Sequence, residues 1–96
     1  MAEYRLSPAA QRDLDSIFDY TVAKWGLAQA ADYSDLIEQA CAALARAPLR
    51  APACDAIRKG YRRRSVGRHV IYFRVTATGI SIVRILYQRM NAGNQL

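Results

Sequence analysis

The apolar residues of this chain change period once, and that change restricts the architectures open to it. Up to Pro48 they recur every three or four positions; from Val70 onward they run together in β-branched and aromatic blocks. Ser7-Pro8 reads as a helix start, with serine as N-cap and proline at the first helical position, where its missing N–H costs nothing. Asp13 and Asp15 put negative charge near the positive end of that helix dipole. Leu14, Ile17, Phe18, Val22 and Trp25 form one apolar stripe, and Gly26 supplies the stop. A second helix is expected from Ala28 to Ala47, with Tyr33, Leu36, Ile37, Ala40, Leu44 and Ala47 on one face and Pro48 at its end. So short a connection makes the pair an antiparallel helical hairpin.

The remainder reads as strands. EYRL at residues 3–6 alternates as a short strand would. Val70–Val75 is a central strand, Thr76–Gly79 a turn, and Ile80–Leu86 the return strand. A shorter strand at Tyr61–Ser65 pairs with the one starting near His69 through a Val66-Gly67 turn. The fold class expected is α+β: an N-terminal strand, then an antiparallel helical hairpin packed on one face of a small, mainly antiparallel sheet. A chain of 96 residues has room for one domain, taken to span residues 1–96.

Charge is distributed as unevenly as hydropathy. Residues 1–57 carry all eight acids and five bases, a net of −3; residues 58–96 carry nine bases and no acid, a net of +9. That division raises the potential over half of the surface and suits an acidic protein or a polyanion as partner. Hydrophobic residues at 52% and charged residues at 23% exclude a disordered tail. No apolar run approaches the ~20 residues that cross a bilayer, and MAEYRLSPAAQ lacks a signal peptide's apolar core. A cytosolic protein is expected, with Cys41 and Cys54 as free thiols. No metal or cofactor is expected, since His69 is the only histidine and the carboxylates lie elsewhere.

Three separated stretches carry a resemblance to a known family. LSPAAQRDLDSIFDYTVAKWG resembles the first helix of the ParE branch of the RelE/ParE toxin superfamily. IRKGYRRRSVGRHVIYFRV resembles its central arginine-rich turn and strand, and IVRILYQRMN its closing strand. Tyr87 stands where that branch usually has histidine, and Asn91 where it has aspartate. The resemblance implies a RelE/ParE-like fold and the toxin of a type II toxin–antitoxin pair. Its partner would be a ParD-like antitoxin within a hetero-oligomer, DNA being met only indirectly through that antitoxin. The target implied in the ParE branch is DNA gyrase; in the RelE branch the toxin is a ribosome-dependent endoribonuclease.

The residues allow each reading to be weighed. Cutting RNA through its 2′-OH needs proton-transfer groups beside cations. Arg64, Arg68, Arg84 and Tyr87 would have to serve, and Tyr87 also reads as an ordinary strand-end aromatic with a wet hydroxyl. His69, with no carboxylate at readable spacing, reads as a strand-edge histidine bonded to backbone. Alternation places Arg84 on the face of Ile80, Ile82 and Leu86, either paired with a helix acid such as Asp15 or Asp19 or held at a binding surface. The expected partner-binding set is Arg58, Arg62, Arg63, Arg64, Arg68, Arg84, Tyr87, Arg89 and Met90, with no catalytic residue. Asp13, Asp19, Asp32, Asp35 and Glu38 read as a solvated outer face. No helix-turn-helix or zinc-finger spacing supports direct binding of nucleic acid.

Overall fold

Ser7 fixes where the chain turns from strand to helix. In the computed structural model, which describes residues 3–96, β1 spans Glu3–Leu6 and α1 spans Pro8–Trp25. Ser7 Oγ accepts the Ala10 N–H at 3.0 Å and donates to the Val83 carbonyl at 2.7 Å. The Ser7 N–H donates to the Ile82 carbonyl at 2.9 Å. One residue therefore caps α1, as expected, and ties it to a strand 76 positions away.

Gly26 alone separates α1 from α2, which spans Leu27–Arg46. Its φ of 93° lies where a side chain is strained, so glycine lets two helices meet with one residue between them. Its N–H closes α1 on the Val22 carbonyl and its carbonyl accepts the Ala30 N–H of α2. That economy explains why α2 starts one residue before the expected Ala28. A 3-10 turn at Pro48–Arg50 ends the helical half, followed by β2 (Tyr61–Val66), β3 (His69–Val75), β4 (Gly79–Tyr87) and a short α3 (Ala92–Gln95).

The sheet order is β1-β4-β3-β2. β1 runs parallel to β4, from Glu3↔Gly79 to Leu6↔Ile82, and the other pairs are antiparallel. The α+β architecture is as expected, with two local differences. Val66 is buried and pairs with His69, so the β2–β3 turn is Gly67-Arg68 and not Val66-Gly67. A two-residue hairpin needs positive φ, and Gly67 provides it at 56°. In β4, Tyr72 faces Arg84 while Phe73 faces Ile82, which leaves Val83 as an extra residue. This bulge inverts the alternation. Ile80 and Ile82 face the helices before it and Ile85 after it, whereas Arg84 and Leu86 do not share their face.

Two apolar clusters sandwich the sheet. On the helix side, Ile17, Ile37, Cys41 and Leu44 pack against Ile71, Phe73, Ile80, Ile82 and Ile85. On the other side, Val70, Tyr72 and Leu86 are covered by Cys54 and Ala92, with Ile57, Tyr61 and Leu96 at the margin. The two cysteines thus lie on opposite faces of the sheet and are free thiols, as expected. Burial, helped by Glu38, pushes the Cys41 thiol up to about 12.

Two residues expected on the apolar stripes are outside. Trp25 is 61% exposed and Leu36 47%. Trp25 ends α1 at the tip of the hairpin, and neither helix buries a residue between Thr21 and Ala30. Leu36 lies one position off the buried row of Ile37, Ala40, Cys41 and Leu44, which rotates it toward solvent. Among the described residues, no helix is long and apolar enough to cross a membrane.

Candidate functional site

The residues expected to form one partner-binding surface fall into three groups. The first lies on the sheet edge. Successive residues of β2 alternate, so Arg62 and Arg64 face Phe73 and Ile71 on the helix side while Arg63 faces Tyr72 on the other. Arg62 Nη1 donates to the Ala51 carbonyl at 2.7 Å, which commits it to holding the loop after α2. Arg63 and Arg64 are exposed. Arg64 borders a groove of about 320 Å³ with Ala43, Leu44, Ala47 and Arg50. Arg58 is exposed too, its guanidinium 5.5 Å from the centre of the Tyr61 ring.

Arg84 stands apart from these. It sits where β1 no longer covers the edge of β4, and the N-terminal part of α1 takes that place. Arg84 Nε and Nη2 donate to the two carboxylate oxygens of Asp13 at 2.7 and 2.8 Å. The Ile85 N–H donates to the same carboxylate at 3.0 Å, and Arg84 Nη1 reaches the Gln95 carbonyl at 3.2 Å. Asp13 thus supplies the acceptor that a neighbouring strand would have given. The ion pair anticipated with Asp15 or Asp19 exists, but its partner is Asp13, which is not the solvated outer-face residue expected. The bulge at Val83 is the reason, since it turns Arg84 to the open strand edge. The pairing with Asp13 raises the Arg84 pKa above its ordinary value.

The third group gathers at the β2–β3 turn and the end of β4. Gly67 and Arg68 form the turn, His69 opposes Tyr87 across the sheet, and Arg89 and Met90 follow exposed. The Arg68 carbonyl accepts the Gln88 N–H at 2.9 Å, which joins turn to C-terminal segment. His69 Nδ1 lies 2.7 Å from the Tyr33 hydroxyl, and its ring meets Tyr87 edge-on with centroids 5.7 Å apart. His69 is therefore bonded to a side chain of α2 and not to backbone as expected. Burial lowers its pKa, and the nearby Asp13 charge opposes that shift. Tyr87 is half-buried.

Arg64, Arg68, Arg84 and Tyr87, which a nuclease reading would need together, are dispersed over these three groups. Tyr87 and Arg84 are three residues apart on β4, roughly 10 Å along a strand. Among the described residues, no three His, Cys, Asp or Glu side chains gather as a cation site would require. Sequence reasoning missed Asp13 and Tyr33. Nothing local marks Asp13, whose partner is 71 positions away. Tyr33 did carry a signal, because a tyrosine on a core stripe must find a partner for its hydroxyl.

Comparison with known proteins agrees with the fold. The family model for the ParE toxin of the type II toxin–antitoxin system parDE matches residues 4–92. A Mycobacterium tuberculosis protein named Toxin ParE1 is 44% identical over 96 residues, covering 99% of this chain and 98% of that one. A Caulobacter vibrioides protein of the same name is 40% identical over 92 residues, covering 96% and 95%. Among solved structures, a chain of the chromosomal ParDE TA system from P. aeruginosa superposes with TM-score 0.79 at 24% identity, covering 91% of this chain and 96% of that one. The toxin–antitoxin complex RelBE2 from Mycobacterium tuberculosis gives 0.56 at 22%, covering 90% and 96%. These two establish the RelE/ParE-like fold. By the family match and the full-length relatives, the chain belongs to the ParE toxin family of type II toxin–antitoxin systems.

Proposed function

We propose that this toxin acts in the cytoplasm as a protein inhibitor of DNA gyrase, and that a ParD-like antitoxin neutralises it in a hetero-oligomer. The dispersal of Arg64, Arg68, Arg84 and Tyr87 carries the preference for inhibition over RNA cleavage. With Arg84 held by Asp13, the cations and proton-transfer groups are not assembled round one phosphate. The ParDE system from P. aeruginosa shares the fold, which favours a ParD-like partner. Trp25, Leu27, Leu36 and Leu49 are exposed apolar residues that an antitoxin segment could cover. Purified toxin is expected to inhibit gyrase supercoiling and to leave ribosome-bound mRNA uncut. Intact supercoiling together with mRNA cleavage would establish the nuclease reading in its place.

The antitoxin surface is expected to include Arg63, Arg64 and Arg68, whose guanidinium groups are exposed, and not Arg62 or Arg84, whose groups hold the fold together. Converting Arg63 and Arg64 to glutamine should slow association with the product of a small reading frame beside this gene by about tenfold at low salt. The rate should also depend less steeply on ionic strength. An Arg62→Gln variant should instead lose stability. Equal rates for wild type and the double variant would remove the sheet edge from the interface.

A further inference from the structure

Between α2 and the β2–β3 turn, one hydroxyl is surrounded by three polar groups of the turn. Tyr33 Oη accepts the Arg68 backbone N–H at 3.1 Å and lies 3.2 Å from the Val66 carbonyl and 2.7 Å from His69 Nδ1. The ring lies directly against Gly67. A Cβ at that position would fall 2.7 Å from the ring, and the φ of 56° disfavours any side chain there as well. The turn is therefore seated on Tyr33 at each of its four residues, Val66 to His69.

The hydroxyl is used fully in either state of His69. When the imidazole is neutral with its proton on Nε2, the hydroxyl donates to Nδ1 and accepts from Arg68. When the imidazole is charged, Nδ1–H donates to the hydroxyl, which in turn donates a hydrogen bond to the Val66 carbonyl. The Arg68 N–H keeps its acceptor throughout. From the other side, the Arg68 carbonyl is held by the Gln88 N–H. Both backbone groups of Arg68 are thus fixed, one by a helix and one by the C-terminal segment, while its side chain remains exposed. Two-residue turns ordinarily lie at the mobile end of a hairpin.

We propose that Tyr33 is a positioning residue for Arg68: it locks the turn so that the Arg68 side chain leaves the backbone from a fixed point and direction toward the acidic antitoxin. The inference rests on the reading of this face as a partner surface. It adds a residue of α2, 35 positions from Arg68 in sequence, to what sets partner recognition. A backbone already fixed loses less freedom on binding, so the contact of its arginine is stronger than that of an arginine on a loose turn.

The test combines Tyr33→Phe, which keeps the ring under Gly67 and removes only the hydroxyl, with Arg68→Gln and the double variant. Amide exchange should accelerate about tenfold at Arg68, while Ile71 and Phe73 in β3 keep their protection. In binding assays with the ParD-like antitoxin, Tyr33→Phe should raise the Kd about fivefold and Arg68→Gln about tenfold. The double variant should be no weaker than Arg68→Gln alone, because Tyr33 acts through Arg68. Unchanged exchange at Arg68, or additive losses in the double variant, would overturn the proposal. If the wild-type chain does not inhibit gyrase, the gyrase reading alone fails, since antitoxin binding and Arg68 exchange are measured without gyrase.

Discussion

Replacing Asp13 by alanine is expected to cost about 3 kcal/mol of folding stability, near the lower end for breaking a buried ion pair. The side chains of Arg84 and Asp13 are 23% and 14% exposed, so water softens the loss without abolishing it. The change removes both acceptors of the Arg84 fork and the acceptor of the Ile85 N–H. It leaves a charge and a backbone donor at the open edge of β4, and it loosens the Gln95 carbonyl that Arg84 also holds. For a domain of this size the melting temperature should fall by roughly 15 °C. Asp13→Asn, which keeps one oxygen, should cost about half as much. Adding Arg84→Met to Asp13→Ala should recover part of the loss, because the stranded charge is gone. Denaturant midpoints for the four proteins check this order, and an Asp13→Ala protein within about 1 kcal/mol of wild type contradicts it.

A comparable loss, about 3 kcal/mol, is expected from Gly79→Ala. A Cβ on Gly79 would stand 1.9 Å from the Glu3 carbonyl oxygen and 2.8 Å from Glu3 C and N. Those are backbone atoms of a paired strand, so no side-chain rotation relieves the clash. β1 must shift off β4, and with it go Tyr4 and Leu6, which pack against the helix-side core. Gly60→Ala is the control: its φ of 84° is strained for alanine but nothing lies within 4 Å of the added atom. It should cost about 1 kcal/mol. Chemical denaturation separates the two, and amide exchange should show lost protection in Tyr4–Leu6 for Gly79→Ala only. Equal costs at the two glycines would mean that strain and not the close approach of β1 governs position 79.

What the sequence revealed and what it concealed divide along a physical line. Ser7-Pro8, Gly26 and Pro48 act through their own backbones, so the helical hairpin was legible nearly to the residue. The strands were legible from β-branched content, and the bulge was not, because Val83 resembles its neighbours and only pairing with β3 shows that it is extra. That one residue decided which face Arg84 occupies and hence which acid it meets. The arginine-rich segment was read correctly as strand, turn and strand. Its division into Arg62, committed to the Ala51 carbonyl, and Arg63 and Arg64, free at the surface, depends on contacts between parts far apart in the chain. The same holds for Tyr33 and His69, 36 positions apart and joined only when α2 lies across the turn.

The parallel pairing of β1 with β4 also bears on how the molecule comes into being on the ribosome. β1 is synthesised well ahead of its partner strand, which follows only after the two helices and two other strands have been made. Until then β1 has no strand to pair with and the helix-side core lacks Ile80, Ile82 and Ile85, and contacts of such long separation form slowly. Ser7 adds to the delay, since its bonds to Ile82 and Val83 await the same strand. A nascent chain halted before Gly79 therefore contains both helices and the arginine-bearing hairpin but lacks the strand that unites them. The sheet that unites helices and hairpin is therefore completed only when β4 joins β1 on one side and β3 on the other.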